Sequence, residues 1–257
     1  MSDIISISNL GIRWDSAPSY FAAFAADSGT ACVMEFSGAS VPEAYGITYM
    51  PSPSSHCLVS GAGGILTANE DWSKITAYCG SAKDPEYALV LAAVCSRFAA
   101  FSTLLLHGSF VDFEGNGIVF AGPSGIGKTT QAELWNRFTG ADIVNGDKLM
   151  LRCMEEKVYA CSLPWKGSSP YCLNRNVPLR GIVALRQAKE NRIRRLNALE
   201  CAEYFIPHVF LPHWDLTAVD QTLGTLDCIL KQIPVWLLEC RPDKEAVDLV
   251  KDTLFDN

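Results

Sequence analysis

An α/β fold, preceded by a small β-rich N-terminal unit, is predicted by three features of this 257-residue chain. Residues 1 to about 83 alternate short apolar runs with Gly, Ser and Pro clusters, as in "ACVMEF", "GITYM", "HCLVSGAGGIL" and "KITAYCG". That spacing is the pattern of short strands. Next, the apolar run "GIVFAG" passes through a glycine loop into a helix-like pattern. Last, the C-terminal third alternates helical segments with the strand-like "VWLLEC". The chain therefore divides into a β-rich unit over 1–83 and a glycine-loop domain over 84–257.

The elements follow in order. Asp84-Pro85 has the form of an N-cap and first helical position, opening a helix through about Phe101. "LLLHGSFVDFEGNGIVFAG" reads as two strands around Glu114-Gly115-Asn116-Gly117, with Asn-Gly as the turn signal. A helix from Lys128 to about Phe138 stops at Thr139-Gly140. "DIVNGDKLMLRC" is strand, break, strand, and "MEEK" turns it into "VYACS". The loop "LPWKGSSPYCLNRN" leads to the strand "LRGIVALR". Helical segments at about 198–208 and 215–232, the strand "VWLLEC" and a helix opening at Asp243 complete the chain.

Hydrophobic residues make up 49% and charged residues 19%, which is globular rather than disordered. A net charge of −7 argues against a broad electrostatic grip on nucleic acid. The ten cysteines are scattered and form no Cys-x-x-Cys pair, which argues against a zinc ribbon or a thioredoxin-like site. They read as reduced thiols of a cytoplasmic protein. The opening "MSDIISISNLGIRW" lacks the basic and apolar blocks of a secretory signal. The long apolar stretch from Ala88 carries Arg97 near its centre, a costly position in lipid, so it reads as a buried helix and not a membrane span.

"GPSGIGKT", Gly122 to Thr129, fits the phosphate-loop pattern G-x-x-x-x-G-K-[ST]. Glycines let the backbone curl so that successive N–H groups point at phosphate oxygens, and the following helix adds its positive end. Lys128 supplies a mobile cation for the outer phosphates, and Thr129 offers a hydroxyl to Mg²⁺. The expected nucleotide contacts are Gly122, Ser124, Gly125, Ile126, Gly127, Lys128, Thr129 and Thr130. No guanine-reading Asn-Lys-x-Asp follows, and no Ser-Gly-Gly signature of transport ATPases is present. ATP is favoured by exclusion.

The order "LLLHGS…GNGIVFAGPSGIGKTT…IVNGDKLMLR" resembles the catalytic domain of the HPr kinase/phosphorylase family, whose phosphate loop is of the type found in ATP-dependent phosphoenolpyruvate carboxykinases. His107-Gly108 matches the family's His-Gly before the loop, and Ser124-Gly125 the inner Ser-Gly. Asn145-Gly146-Asp147-Lys148 and Pro164-Trp165-Lys166-Gly167 resemble the Asp-Asp-Lys and Pro-Trp-x-Gly motifs of smaller HPr-kinase-like proteins, among them kinases that phosphorylate lasso peptides on a serine. The specific motifs cover roughly residues 104 to 186. The resemblance implies an HPr kinase C-terminal-like domain with a mostly β central sheet. It also implies an ATP- and Mg²⁺-dependent kinase acting on a serine of a peptide or protein, a ribosomally made peptide included. Within it Lys128, Asp147 and His107 are the expected catalytic residues, and Thr129 and Asp147 the metal ligands. Gly146 stands where the family has its first acid, so Asp147 must take the metal, the acceptor, or both.

Other candidates carry bland alternatives. His107 reads equally as a satisfied core histidine, and Glu133 as a solvent-facing residue. His208, His213 and Asp215 do not make a metal site, because Pro212 breaks the helical spacing between them. Trp165 and Lys166 are candidate substrate contacts beside Ser168, Ser169 and Tyr171; Trp165 reads as well as a core anchor. Arg175 and Arg180 compete for a phosphate-binding role. Arg192, Arg194 and Arg195 read as a solvated strand face, with contact to an acidic partner as the alternative. A small-molecule kinase and an ATP-binding module without transfer remain open beside the peptide kinase, as does a homo-oligomer. No nucleic-acid or membrane partner is expected.

Overall fold

The computed structural model describes residues 2–39, 55–59, 64–78 and 87–256. Among these, two sheets carry most of the chain, and strands outnumber helices in a mixed α/β arrangement. Two compact units emerge, one within Met1–Phe101 together with Pro212–Ala218, the other Ser102–Leu211 with Val219–Asn257. The helix Tyr87–Ala99 thus belongs with the first unit. The expected helix start at Asp84-Pro85 and the strand "GITYM" lie outside the described residues.

The first unit is a six-stranded sheet. Its strands are β1 (Asp3–Ile7), β2 (Leu10–Trp14), β3 (Cys32–Ala39), β4 (Ser55–Val59), β5 (Ile65–Asn69) and β6 (Lys74–Tyr78), in the order β1-β2-β3-β6-β5-β4. Trp14 stacks on Phe36 at 4.2 Å, with Phe21 and Phe24 fully buried nearby in sequence on the 3₁₀ turn Ser19–Phe24. Helix α1 (Tyr87–Ala99) is buried on almost every side. Arg97 within it donates to the Val33 carbonyl (2.8 Å) and to Asp71 (3.1 Å), the pairing that a charge leaving water requires. The segment Pro212–Ala218 is tied into this unit by Trp214 Nε1 donating to Ser96 Oγ (3.0 Å) and Trp72 Nε1 donating to Asp215 Oδ2 (2.8 Å). No described helix is long and apolar enough to cross a membrane, and the described cysteines are free thiols.

The second unit is organised by one long strand, β7 (Thr103–Phe113). Its first half pairs with β10 (Lys148–Met154), and its second half with β8 (Asn116–Ala121) and β9 (Asp142–Asn145). β11 (Lys157–Ser162) joins β10 to β12 (Asn176–Gln187), and β12 lies parallel to β8, so these strands close a circuit. β14 (Val235–Cys240) adds to β12 in parallel, and β13 (Arg192–Arg195) forms the antiparallel edge. Strands of this sheet are apolar on both faces. Val119 and Ala121 face a core shared with Phe205, Leu226 and Ile229, whereas Ile118 and Phe120 face one shared with Trp135, Val247 and Val250. The first core is covered by α3 (Ala198–Tyr204) and α4 (Leu216–Gln232), the second by α2 (Lys128–Thr139) and α5 (Lys244–Phe255).

Two local expectations are corrected. The β7–β8 turn is built on Glu114 (φ 52) and Gly115 (φ 78), not on Asn116-Gly117. Both left-handed residues of a tight hairpin turn sit there, and Phe113 pairs with Asn116. Gly117 instead lies inside β8, where a Cβ would press on Ala160, Phe110 and Val177 at 3.1–3.2 Å. The helix expected over 198–208 ends at Tyr204, and Ile206–His208 is a separate 3₁₀ turn containing Pro207, whose missing N–H and fixed φ interrupt the α-helix.

Candidate phosphate-loop active site

Strand β8 delivers the chain into the glycine loop, and α2 begins at Lys128. Gly125 (φ 79) and Gly127 (φ 114) adopt backbone angles that L side chains rarely take, which is why glycine is needed at both. Buried Ser109 on β7 donates to the Lys128 carbonyl (2.8 Å), fixing the helix start to the sheet. The result is a cleft of about 410 Å³ lined from the loop by Ser124, Gly125, Gly127, Lys128, Thr129 and Thr130. Its opposite wall is His107, Gly146 and Asp147, with Ser168, Ser169 and Pro170. Six of the eight loop residues expected to contact nucleotide, with Asp147, therefore line one cavity, whereas Gly122 and Ile126 do not line it.

Lys128 is buried and folds back so that Nζ donates to the carbonyls of Gly122 (2.8 Å) and Pro123 (2.9 Å). Burial pushes its pKa down, and Asp147 partly offsets that. Thr129 Oγ1 donates to the Gly146 carbonyl (3.0 Å). Asp147 meets the Lys148 ammonium through Oδ2 and His107 Nδ1 through Oδ1 at 3.5 Å. His107, on β7, pairs with Lys148 across the sheet.

The residue that holds this acid was given no role by the sequence. Asn145 is fully buried. Its Nδ2 donates to the Leu163 (2.9 Å) and Trp165 (3.1 Å) carbonyls, and its Oδ1 accepts from the N–H groups of Asp147 (3.0 Å) and Lys148 (3.2 Å). The side chain therefore closes the Gly146-Asp147 turn and fastens it to the Trp165 loop. An Asn bonding the N–H two residues on is the sequence signal of such a turn. Asn145→Ala leaves several buried backbone groups unpaired and is expected to lower unfolding free energy by about 2–4 kcal/mol, measured by urea denaturation.

Two further residues shape the acid's surroundings. Gly167 (φ 55) packs so closely that a Cβ would lie 2.5 Å from Asp147 Oδ2. Gly146 has no room for a side chain, because its Cβ would come 2.8 Å from the Cβ of buried Ser169. Ser169 Oγ also accepts from Tyr171 N (3.2 Å). Ser169, from the neighbouring loop, occupies the space that a side chain at position 146 would need.

Several candidates lie elsewhere. Trp165 is buried, 3% exposed, and acts through its carbonyl on Asn145 rather than as a rim contact. Lys166 is exposed and reaches the Pro170 carbonyl at 3.4 Å. Arg175 is held by Asp112 (2.8 Å) and Asp142 (2.6 Å), away from the cleft lining. Arg180 donates to the Leu254 carbonyl (2.6 Å) and lies over Phe255. Both guanidiniums are engaged by groups the sequence did not pair with them. Glu133 is exposed and accepts from Tyr171 Oη (3.2 Å). Arg192 and Arg194 pair with Glu190 and Glu200 on the exposed edge strand. Among the described residues no group of three or more His, Cys, Asp or Glu side chains gathers as a metal site.

His208, set aside as a metal ligand, lies beside the site for another reason. An antiparallel bridge joins Leu106 to Val209, which makes His208 the cross-strand neighbour of His107. Burial, then Lys128, lowers the pKa of each imidazole; His107 lowers that of His208, and Asp147 partly offsets the effect on His107. The folded pKa values lie below the ordinary 6.5, so the unfolded chain binds more protons in that range and stability falls as pH drops through it. Stability from this source is complete above about pH 6.5 and is lost below it. Unfolding midpoints of the ligand-free protein are expected to fall between pH 7.5 and 5.5, and a His107→Gln/His208→Gln variant to flatten that slope.

No family model matches the chain, and no curated protein sequence matches it. Among solved structures it is similar to the "Hpr(Ser) kinase/phosphatase from Coxiella burnetii", at 13% identity and a TM-score of 0.36 over 60% of this chain and 88% of that one. So distant a likeness carries no functional assignment, and the functional reading rests on the cleft itself.

Proposed function

We propose that this chain is an ATP- and Mg²⁺-dependent kinase that transfers the γ-phosphate to a hydroxyl, that of a serine in a peptide or protein. The observation that carries the reading is the Asp147 carboxylate, held by the Asn145 turn and backed by Gly167, opposite Lys128 and Thr129 in one cleft.

The residues fit Mg²⁺. Thr129 and Asp147 supply two oxygen donors, the modest protein contribution this ion takes when phosphates and water complete its shell. When bound, it neutralises charge on the phosphate oxygens. The loop N–H groups cradle the phosphates, and Lys128 Nζ exchanges the Gly122 and Pro123 carbonyls for phosphate oxygens. The serine oxygen forms its bond to the γ-phosphorus while the bond to the β,γ-bridging oxygen breaks, releasing ADP with that electron pair. The hydroxyl proton passes to Asp147, whose two oxygens let it serve metal and acceptor together. His107 borders the reacting group; in the ligand-free cleft burial and the Lys128 charge lower its pKa.

The alternative, a nucleotide-binding module without transfer, draws on the single carboxylate. Gly146→Asp separates the two. The new side chain collides with Ser169 whichever reading holds, so melting temperature falls, and Gly146→Asp/Ser169→Gly, which removes the collision, is the variant on which transfer is compared with the parent. A silent parent and an active Gly146→Asp variant would sink the kinase reading. Label from γ-labelled ATP is followed into a serine-peptide pool and into free phosphate, so that transfer is distinguished from hydrolysis.

A further inference from the structure

The wall of the phosphate cleft that carries Asp147 also carries two adjacent serines, Ser168 and Ser169. They differ in what their hydroxyls do. Ser169 is buried, and its Oγ accepts from Tyr171 N (3.2 Å). Ser168 is exposed, and among the described residues its hydroxyl makes no hydrogen bond.

The turn that presents Ser168 is closed by Ser169 N donating to the Lys166 carbonyl (3.0 Å). Gly167 takes the left-handed position within it (φ 55). Gly167 is also the residue packed on the carboxylate, where a Cβ would lie 2.5 Å from Asp147 Oδ2. The turn therefore sets Ser168 in the cleft, next along the chain from the residue that touches the acid. Lys128 and Thr129 line the same cleft from the phosphate loop. An exposed, unbonded hydroxyl in the cavity where transfer is proposed has what an acceptor needs. Its attack requires no second molecule, and an intramolecular step gains the equivalent of a high local concentration.

We propose that Ser168 is a modification site, phosphorylated in cis by the chain that carries it. The inference rests on the kinase reading above. Ser168 Oγ forms its bond to the γ-phosphorus while the bond to the β,γ-bridging oxygen breaks. ADP leaves with that electron pair, and the hydroxyl proton passes to Asp147. Ser169, adjacent but buried and engaged, is not the acceptor.

The full chain is incubated with γ-labelled ATP and Mg²⁺ in the presence of the serine-peptide pool, and label is measured on the chain and on the peptides. Label is expected on the chain, mapped to Ser168 by tandem mass spectrometry. Its rate should be unchanged over a roughly tenfold dilution of the protein, as an intramolecular step requires. Ser168→Ala, at an exposed position, is expected to remove this label, and Asp147→Asn to slow it about 10²–10⁴-fold. A mass-tagged Asp147→Asn chain mixed with the parent should stay unlabelled. Labelled peptides with an unlabelled chain, label mapped only to other residues, or label passing to the tagged chain overturns modification in cis at Ser168 and leaves the kinase reading in place. Label on neither chain nor peptide, with ATP bound, overturns both.

Discussion

Asp147→Asn is expected to lower the rate of the proposed phosphoryl transfer about 10²–10⁴-fold, the range for losing a general base, with the protein still folded. A serine hydroxyl is a poor nucleophile at neutral pH, and Asp147 is the one carboxylate lining the described cleft. The substitution keeps the shape that packs against Gly167 and leaves the backbone bonds from Asn145 intact. It also removes the harder of the two oxygen donors available to Mg²⁺. Added Mg²⁺ is therefore expected to stabilise the ATP complex of the parent and to do so much less for the variant. Equal Mg²⁺ enhancement of the thermal shift in both would remove Asp147 from the metal's shell.

Lys128→Ala is expected to weaken ATP binding about 10–100-fold, the worth of one or two charge-assisted hydrogen bonds. In the ligand-free protein the ammonium is satisfied by the Gly122 and Pro123 carbonyls. Its removal also leaves the buried Gly122 carbonyl unpaired, so ligand-free melting should fall modestly beside the larger loss of nucleotide affinity. A variant that binds and turns over ATP like the parent would show that the loop is not the site.

The parts of this site legible in the sequence were those whose chemistry is local. The loop from Gly122 to Thr129 declares itself because glycines, lysine and threonine occur in one run between a strand and a helix, and five of its residues, with Thr130, line the cleft. The strands β7, β8, β10, β11, β12 and β14 were visible as apolar runs bounded by turns. What was not legible came from pairing across long separations. Arg175 looked free for phosphate because nothing in the sequence says that Asp112 and Asp142 reach it. That Gly146 has no space for a side chain is likewise invisible in the sequence, because Ser169, which occupies that space, lies on another loop. The neighbour that matters for His208 is not His213, close in sequence, but His107, one β-bridge away.

The most direct measurement is a single-turnover reaction of γ-labelled ATP and Mg²⁺ with one serine-peptide pool, run in parallel on the parent and on Asp147→Asn, with ATP binding measured on the same samples. The parent should place label on peptide serine and release ADP in equal amount, while Asp147→Asn binds ATP and leaves the peptides unlabelled at the same times. A parent that binds ATP yet labels no peptide, or an Asp147→Asn variant that labels peptides as fast as the parent, would contradict it.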